Sequence, residues 1–192
     1  MMNIILASNS PRRKELLGGL GISFDVKVLK GVDESYPKHT QPEDVAEYIA
    51  NKKADAYEIA EHELLITADT VVIVGEDILG KPKNPVEAHR MLREISGKTH
   101  QVVTGVCMTT TKDRHSFSVS TDVTFKNLTD KEIDYYIQTF KPFDKAGAYG
   151  IQEWIGYVGV TAINGSYYNV MGLPVQRVYE ELTSRFKLNI AK

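Results

Sequence analysis

Residues 64–74, LLITADTVVIV, form an eleven-residue stretch with one charge, Asp69. The stretch is far short of the roughly 20 apolar residues that a membrane-spanning helix needs, and its β-branched residues suit a strand buried on both faces. Such a strand belongs inside a sheet covered by helices. An unpaired carboxylate buried there costs several kcal/mol, so Asp69 requires a cation, a metal ion or access to a cleft. A strand-end aspartate capping a neighbouring turn is the alternative.

The remaining pattern fits that sheet. Residues 3–7 read as a first strand, followed by a helix with Ser10 as N-cap, Pro11 at its first position and Gly21 just past its end. Thr40 with Glu43 forms a capping-box pattern opening a helix to about Ala60, Asn84-Pro85 with Glu87 opens another that stops at Gly97, and Thr129 with Glu132 opens a third. Strand-like runs occupy residues 101–109 and 116–125. Residues 156–163 and 166–171 flank Asn164-Gly165, a two-residue hairpin signal, and a last helix follows Pro174. Strands and helices alternate first and strands cluster later, which predicts a mixed β-sheet with flanking helices. The 192 residues suit one domain spanning 1–192, as a single body or as two small lobes sharing a cleft.

Charge is locally misplaced. Arg12, Arg13 and Lys14 stand at a helix N-terminus, where the dipole disfavours each cation by about 0.3–1 kcal/mol. A bound anion reverses that cost, because backbone donors and guanidinium forks then converge on a phosphate chain. The net charge of −2 provides no global field for nucleic acid or an anionic membrane, so the anion site is local. Cys107 is the only cysteine, which excludes an intramolecular disulfide and a multi-cysteine metal site and predicts a reducing, cytoplasmic setting. The start MMNIILASNS has no basic n-region and reads as a buried strand rather than a signal peptide.

Lys53 is a second misfit. Ala46, Ile49, Lys53, Tyr57 and Ala60 step along one helix face, placing the lysine within an apolar stripe, either snorkelling to water or reaching a phosphate. Lys81 is held between Gly80 and Pro82, and Glu34 with Asp69 could supply the one or two carboxylates by which magnesium is usually held beside substrate phosphates. The segment DKAGAYGIQ, residues 144–152, permits close backbone approach to a ligand without matching a dinucleotide or Walker fingerprint, and Gln152 could read a base edge. His39, His62, His89, His100 and His115 show no metal-ligand spacing. Cys107, within an apolar strand, reads as an inert core thiol.

SNSPRRKELL, the Glu34 segment, Lys53-Ala54, ADTVV, LGKP, SGKTHQVVTGV, DKAGAYGIQ and INGSYYNVMGLP, in this order, resemble the Maf family of nucleoside triphosphate pyrophosphatases across almost the whole chain. The resemblance implies hydrolysis of a nucleoside triphosphate between its α and β phosphates with a divalent cation, magnesium or manganese. It also implies a mixed α/β sheet split into two lobes by a deep cleft, related to the inosine triphosphatase fold and often found as a homodimer. On the same basis Asp69 is the proton acceptor and, with Glu34, a metal ligand. Ser8, Arg13, Lys53 and Lys81 serve the phosphates.

Arg12, Thr70 and Gln152 match the branch acting on dTTP and UTP, whereas the 7-methyl-GTP branch carries tryptophan, glutamine and glutamate at those places. Two departures border the specificity loop: Lys141-Pro142 stands where the family commonly has Glu-Pro, and Glu153 stands where a glycine is usual. The rival readings are a 7-methyl-GTP or broader pyrophosphatase and a non-catalytic septation regulator that binds nucleotide. The absence of an aromatic-and-basic stripe argues against a nucleic-acid partner.

Overall fold

In the computed structural model, which describes residues 2–190, the chain forms a seven-stranded sheet with hydrogen-bonded order β2-β1-β3-β5-β6-β7 and β4 paired to β3. The strands are β1 (Asn3–Leu6), β2 (Asp25–Val26), β3 (Glu63–Val74), β4 (Asp77–Leu79), β5 (Thr99–Thr109), β6 (Arg114–Phe125) and β7 (Val160–Asn164). β1 runs parallel to β2 and β3, while β4 is antiparallel to β3 and β7 to β6, so the sheet is mixed as expected. Helices α1 (Pro11–Gly18), α2 (Pro42–Asp55), α3 (Pro85–Ile95), α4 (Asp130–Phe140), α5 (Trp154–Gly159), α6 (Tyr167–Met171) and α7 (Val175–Ser184) complete it.

Three helix starts follow their local chemistry. The Ser10 hydroxyl accepts from the Arg13 N–H at 3.4 Å and Asn84 Oδ1 from the Glu87 N–H at 2.9 Å. At α4 the capping box is reciprocal: Thr129 Oγ1 accepts from the Glu132 N–H at 3.2 Å and Glu132 Oε2 from the Thr129 N–H at 2.8 Å. Replacing Thr129 by alanine is expected to cost about 1 kcal/mol, a fall of roughly 2–4 °C in Tm for a chain of this size. Thermal unfolding followed by circular dichroism checks it, and an unchanged Tm would show that the cap is idle.

Elsewhere the structure departs from the local signals. The Thr40–Glu43 box does not form: Pro42 occupies the first helical position and holds Gln41 extended at φ −61°, ψ 141°, so Gln41 is the N-cap and makes no side-chain capping bond. α2 then ends at Asp55 rather than near Ala60, and α1 ends at Gly18, leaving Gly21 at φ 71° in the turn beyond.

The Asn164-Gly165 hairpin is also absent. Of residues 156–163, the first four close α5, and the segment after Gly165 is helix α6. The Ser166 hydroxyl accepts from the Asn169 N–H at 3.3 Å, a helix start, while Thr121 Oγ1 on β6 takes the Ser166 N–H at 3.1 Å. Those bonds draw the chain out of the sheet, and of the two expected hairpin strands β7 alone pairs with β6.

Two compact units divide the chain: Met1–Asp69, Thr104–Val119 and Gly172–Lys192 in the first, Thr70–Val103 and Ser120–Met171 in the second. In the first, α2 packs against β5 closely enough that a Cβ on Gly105 would meet the Glu47 backbone nitrogen at 2.2 Å. Ile5, Ala7, Ala50, Ala54, Leu65 and Cys107 form a core there. The second unit is built around Phe125, Tyr136, Tyr149 and the apolar faces of α3 and α4. Among the described residues no helix is long and apolar enough to cross a membrane.

Candidate active site

In the first unit, β1 delivers Ser8 to the start of α1. Ser8 is buried, and its hydroxyl accepts from the Ser10 N–H at 3.2 Å, which shapes the turn before the helix. The first turn of α1 has no acidic residue to offset Arg12 and Arg13. Arg13 is anchored instead by main-chain oxygens: its Nε donates to Gly172 O at 2.7 Å and one terminal nitrogen to Ala68 O at 3.1 Å. Burial holds the guanidinium below its usual pKa, partly offset by Asp69. It remains a cation at neutral pH.

Asp69 does have its cation. Lys53 Nζ lies 2.7 Å from Asp69 Oδ1 and 2.9 Å from Glu34 Oε1, with the Lys53 and Asp69 side chains only 14% and 13% exposed. The lysine in the apolar stripe therefore points inward to two carboxylates rather than out to water. Thr67 donates to Ala50 O at 2.7 Å and ties β3 to α2, which sets the register between the strand's aspartate and the helix's lysine.

Sequence reasoning missed the device that presents Glu34. Lys52 Nζ contacts Asp33 Oδ2 at 2.5 Å, and Ser35 O and Oγ each at 2.9 Å, gripping both neighbours of Glu34. The Lys52 bond brings the Asp33 carboxyl down to about 2. The available signal was the Lys52-Lys53 pair at the C-terminal turn of α2, where the helix dipole favours cations.

The other three candidates, Thr70, Lys81 and Gln152, belong to the second unit. Thr70 follows Asp69 directly on β3 and is half-buried, and Lys81 is exposed beside Gly80. Gly80 O accepts from the Gly147 N–H at 3.1 Å, so the LGKP turn is fastened to the DKAGAYGIQ segment. Gly147 takes φ 66°, and a Cβ there would strike Val72 at 2.9 Å, so that position requires glycine. Tyr149 is buried, with its hydroxyl 2.7 Å from His100 Nε2, and burial lowers His100 to about 4. That histidine is internal and neutral at physiological pH.

Gln152 Oε1 is buried with no hydrogen-bond partner among the described residues. A buried acceptor left empty costs about 1–3 kcal/mol unless a ligand completes it.

The arrangement in the first unit suits phosphate chemistry: the β3 carboxylate Asp69 is paired with Lys53 and lies in the field of the buried Arg13 at the start of α1. Among the described residues no group of three or more His, Cys, Asp or Glu forms a self-sufficient metal centre.

A dTTP/UTP pyrophosphatase of Phocaeicola vulgatus is 60% identical over 181 residues, spanning 93% of this chain and 94% of its own. Proteins of the same name from Bacteroides thetaiotaomicron and Parabacteroides distasonis are each 56% identical over 181 residues, with the same coverage. Among solved structures, a nucleoside-triphosphatase / dITP/XTP pyrophosphatase from Mycobacterium abscessus is 14% identical, covers 97% of both chains and superposes with a TM-score of 0.43. Residues 3–185 match the sequence profile of the Maf-like proteins, and the chain belongs to that family.

Proposed function

We propose that the chain hydrolyses dTTP and UTP to the monophosphate and pyrophosphate. The carrying observation is the Asp69–Lys53–Glu34 array beside Arg13, with relatives that share more than half of its residues and the dTTP/UTP pyrophosphatase name in support. Asp69 accepts a proton from water as the water oxygen attacks the α-phosphorus; the anhydride bond to the bridging oxygen breaks and pyrophosphate leaves. Arg13, Lys53 and Lys81 neutralise the phosphate oxygens, with Ser8 and the N–H groups at the start of α1 as donors.

Glu34 Oε1 and Asp69 Oδ1 converge on one positive centre, the Lys53 ammonium, and hard carboxylate oxygens so directed fit magnesium or manganese. Those two residues would hold the ion, with substrate phosphates completing its shell. When bound, the ion supplies charge neutralisation at the phosphates.

Arg12, Thr70 and Gln152 select the base. A uracil or thymine ring carries an N–H between two carbonyls, and the buried Gln152 Oε1 is an acceptor for such a donor. The same reading places the protein in a reducing compartment, where the buried Cys107 thiol stays reduced.

Incubation with each common triphosphate and magnesium or manganese, followed by product identification, tests the reading. Monophosphate with pyrophosphate is expected from dTTP and UTP. Diphosphate with orthophosphate would overturn the reaction class, and preference for 7-methyl-GTP would overturn the base assignment. Lys53→Ala and Lys81→Ala are expected to raise KM for the triphosphate by about tenfold or more, the loss of one charge-assisted contact. Steady-state kinetics check each, and a lysine whose variant keeps normal kcat and KM has no phosphate role.

A further inference from the structure

Glu153, the departure from the family pattern beside Gln152, does not hang free. One of its carboxylate oxygens lies 3.1 Å from Lys145 Nζ and the other accepts the hydroxyl proton of Tyr136. The same Tyr136 oxygen accepts from the Gly150 N–H at 3.0 Å, and Lys145 Nζ also pairs with Asp144 Oδ1 at 2.9 Å. The network therefore grips the loop at residues 144–145, at 150 and at 153, on both sides of Gln152. Tyr136 is fully buried and the Lys145 side chain is 9% exposed, so these bonds are shielded from water.

Gln152 itself is in reach of this network. A methyl group added at Gly150 would lie 3.0 Å from Lys145 Cε, 3.1 Å from Gln152 Nε2 and 3.1 Å from Glu153 Cδ, so all three side chains close over one small surface that only glycine leaves open. The amide's other end, Oε1, is the buried acceptor with no partner among the described residues. Burial and the Glu153 carboxylate push the Tyr136 phenol above its usual range, so it is a proton donor at every working pH.

We infer that Tyr136, Glu153 and Lys145 are positioning residues that fix the Gln152 amide with its oxygen toward the pyrimidine N–H, so that base selectivity depends on groups that never touch the base. The signal in the sequence is the pair of opposite charges, Lys145 and Glu153, enclosing an uncharged AGAYGIQ. The inference rests on the proposed base-reading role of Gln152. It predicts a loss confined to recognition: a loosened amide samples orientations that cannot accept the N–H, while the groups that carry the phosphate chemistry are untouched.

The test compares Tyr136→Phe, Glu153→Ala and Glu153→Gln with a Gln152→Ala control, measuring kcat and KM for dTTP and GTP and amide hydrogen exchange across residues 147–153. Tyr136→Phe and Glu153→Ala are expected to raise KM for dTTP about tenfold with kcat held within about twofold. GTP turnover stays level, and the Gly150 amide exchanges faster. Glu153→Gln retains an oxygen for the Tyr136 hydroxyl and recovers most of the selectivity. If Tyr136→Phe fails to fold, Glu153→Ala and Glu153→Gln carry the comparison alone. Equal losses on dTTP and GTP, or no change in KM, overturn the inference. If Gln152→Ala leaves selectivity unchanged, base reading by Gln152 fails and the inference falls with it. If Gln152→Ala relaxes selectivity while the network variants do not, only the positioning role is wrong.

Discussion

Asp69→Asn is expected to lower turnover of dTTP by at least about a hundredfold, the usual contribution of a positioned general base, while leaving the fold intact. Asparagine keeps the size of the side chain and an oxygen able to accept from Lys53, 2.7 Å away in the native protein, and Lys53 keeps its ion pair with Glu34 at 2.9 Å. No cation is stranded, so the substitution removes a proton acceptor without the penalty of an unpaired buried charge. Pyrophosphate release measures the first effect and circular dichroism the second. A folded variant with near-native turnover would make Asp69 a structural partner of Lys53 and nothing more.

The second large effect is a change of substrate order. Wild-type protein is expected to prefer dTTP and UTP over ATP and GTP by well over tenfold in kcat/KM, more than about 1.4 kcal/mol, because a site built on hydrogen bonds rejects a base that leaves them unmade. Exchanging Arg12→Trp, Thr70→Gln and Gln152→Glu together should move preference toward 7-methyl-GTP. Tryptophan stacks on a cationic methylated ring, and glutamate accepts the purine's N–H donors at the position proposed for Gln152 Oε1 as the pyrimidine acceptor. Competition assays with mixed triphosphates measure the order. Equal hydrolysis of all four common triphosphates by the wild type defeats the idea, as does a triple variant that loses every activity in proportion.

What could be read from the chain divides by range. Ser10, Asn84 and Thr129 cap their helices because a cap is a contract among four adjacent residues, β3 declares itself by its apolar run, and β6 by alternation of polar and apolar residues. Lys53 and Asp69 were legible as charges out of place, and the structure pairs them. The hairpin at Asn164-Gly165 failed because Thr121, more than 40 residues away, captures the Ser166 N–H and lets a helix start instead. Tyr136 was invisible for a similar reason: on α4 it reads as one more apolar position, and its hydroxyl acquires meaning only once Gly150 and Glu153 fold against it. Local rules place elements, whereas long-range polar partners have no local signature.

The anchoring of Arg13 sets a timetable for synthesis. Its Nε donates to Gly172 O, 159 residues later in the chain, and the first unit is completed only by the segment that starts at Gly172. A ribosome adding about 5–20 residues per second needs roughly 8–30 s to cover that distance, and through that interval the arginine has no Gly172 carbonyl to hold it. Ser8, Glu34, Lys53 and Asp69 all precede Gly172 in the chain, so they are synthesised before that bond can form. The first unit, which holds Ser8, Glu34, Lys53 and Asp69, therefore closes only after synthesis has passed Gly172.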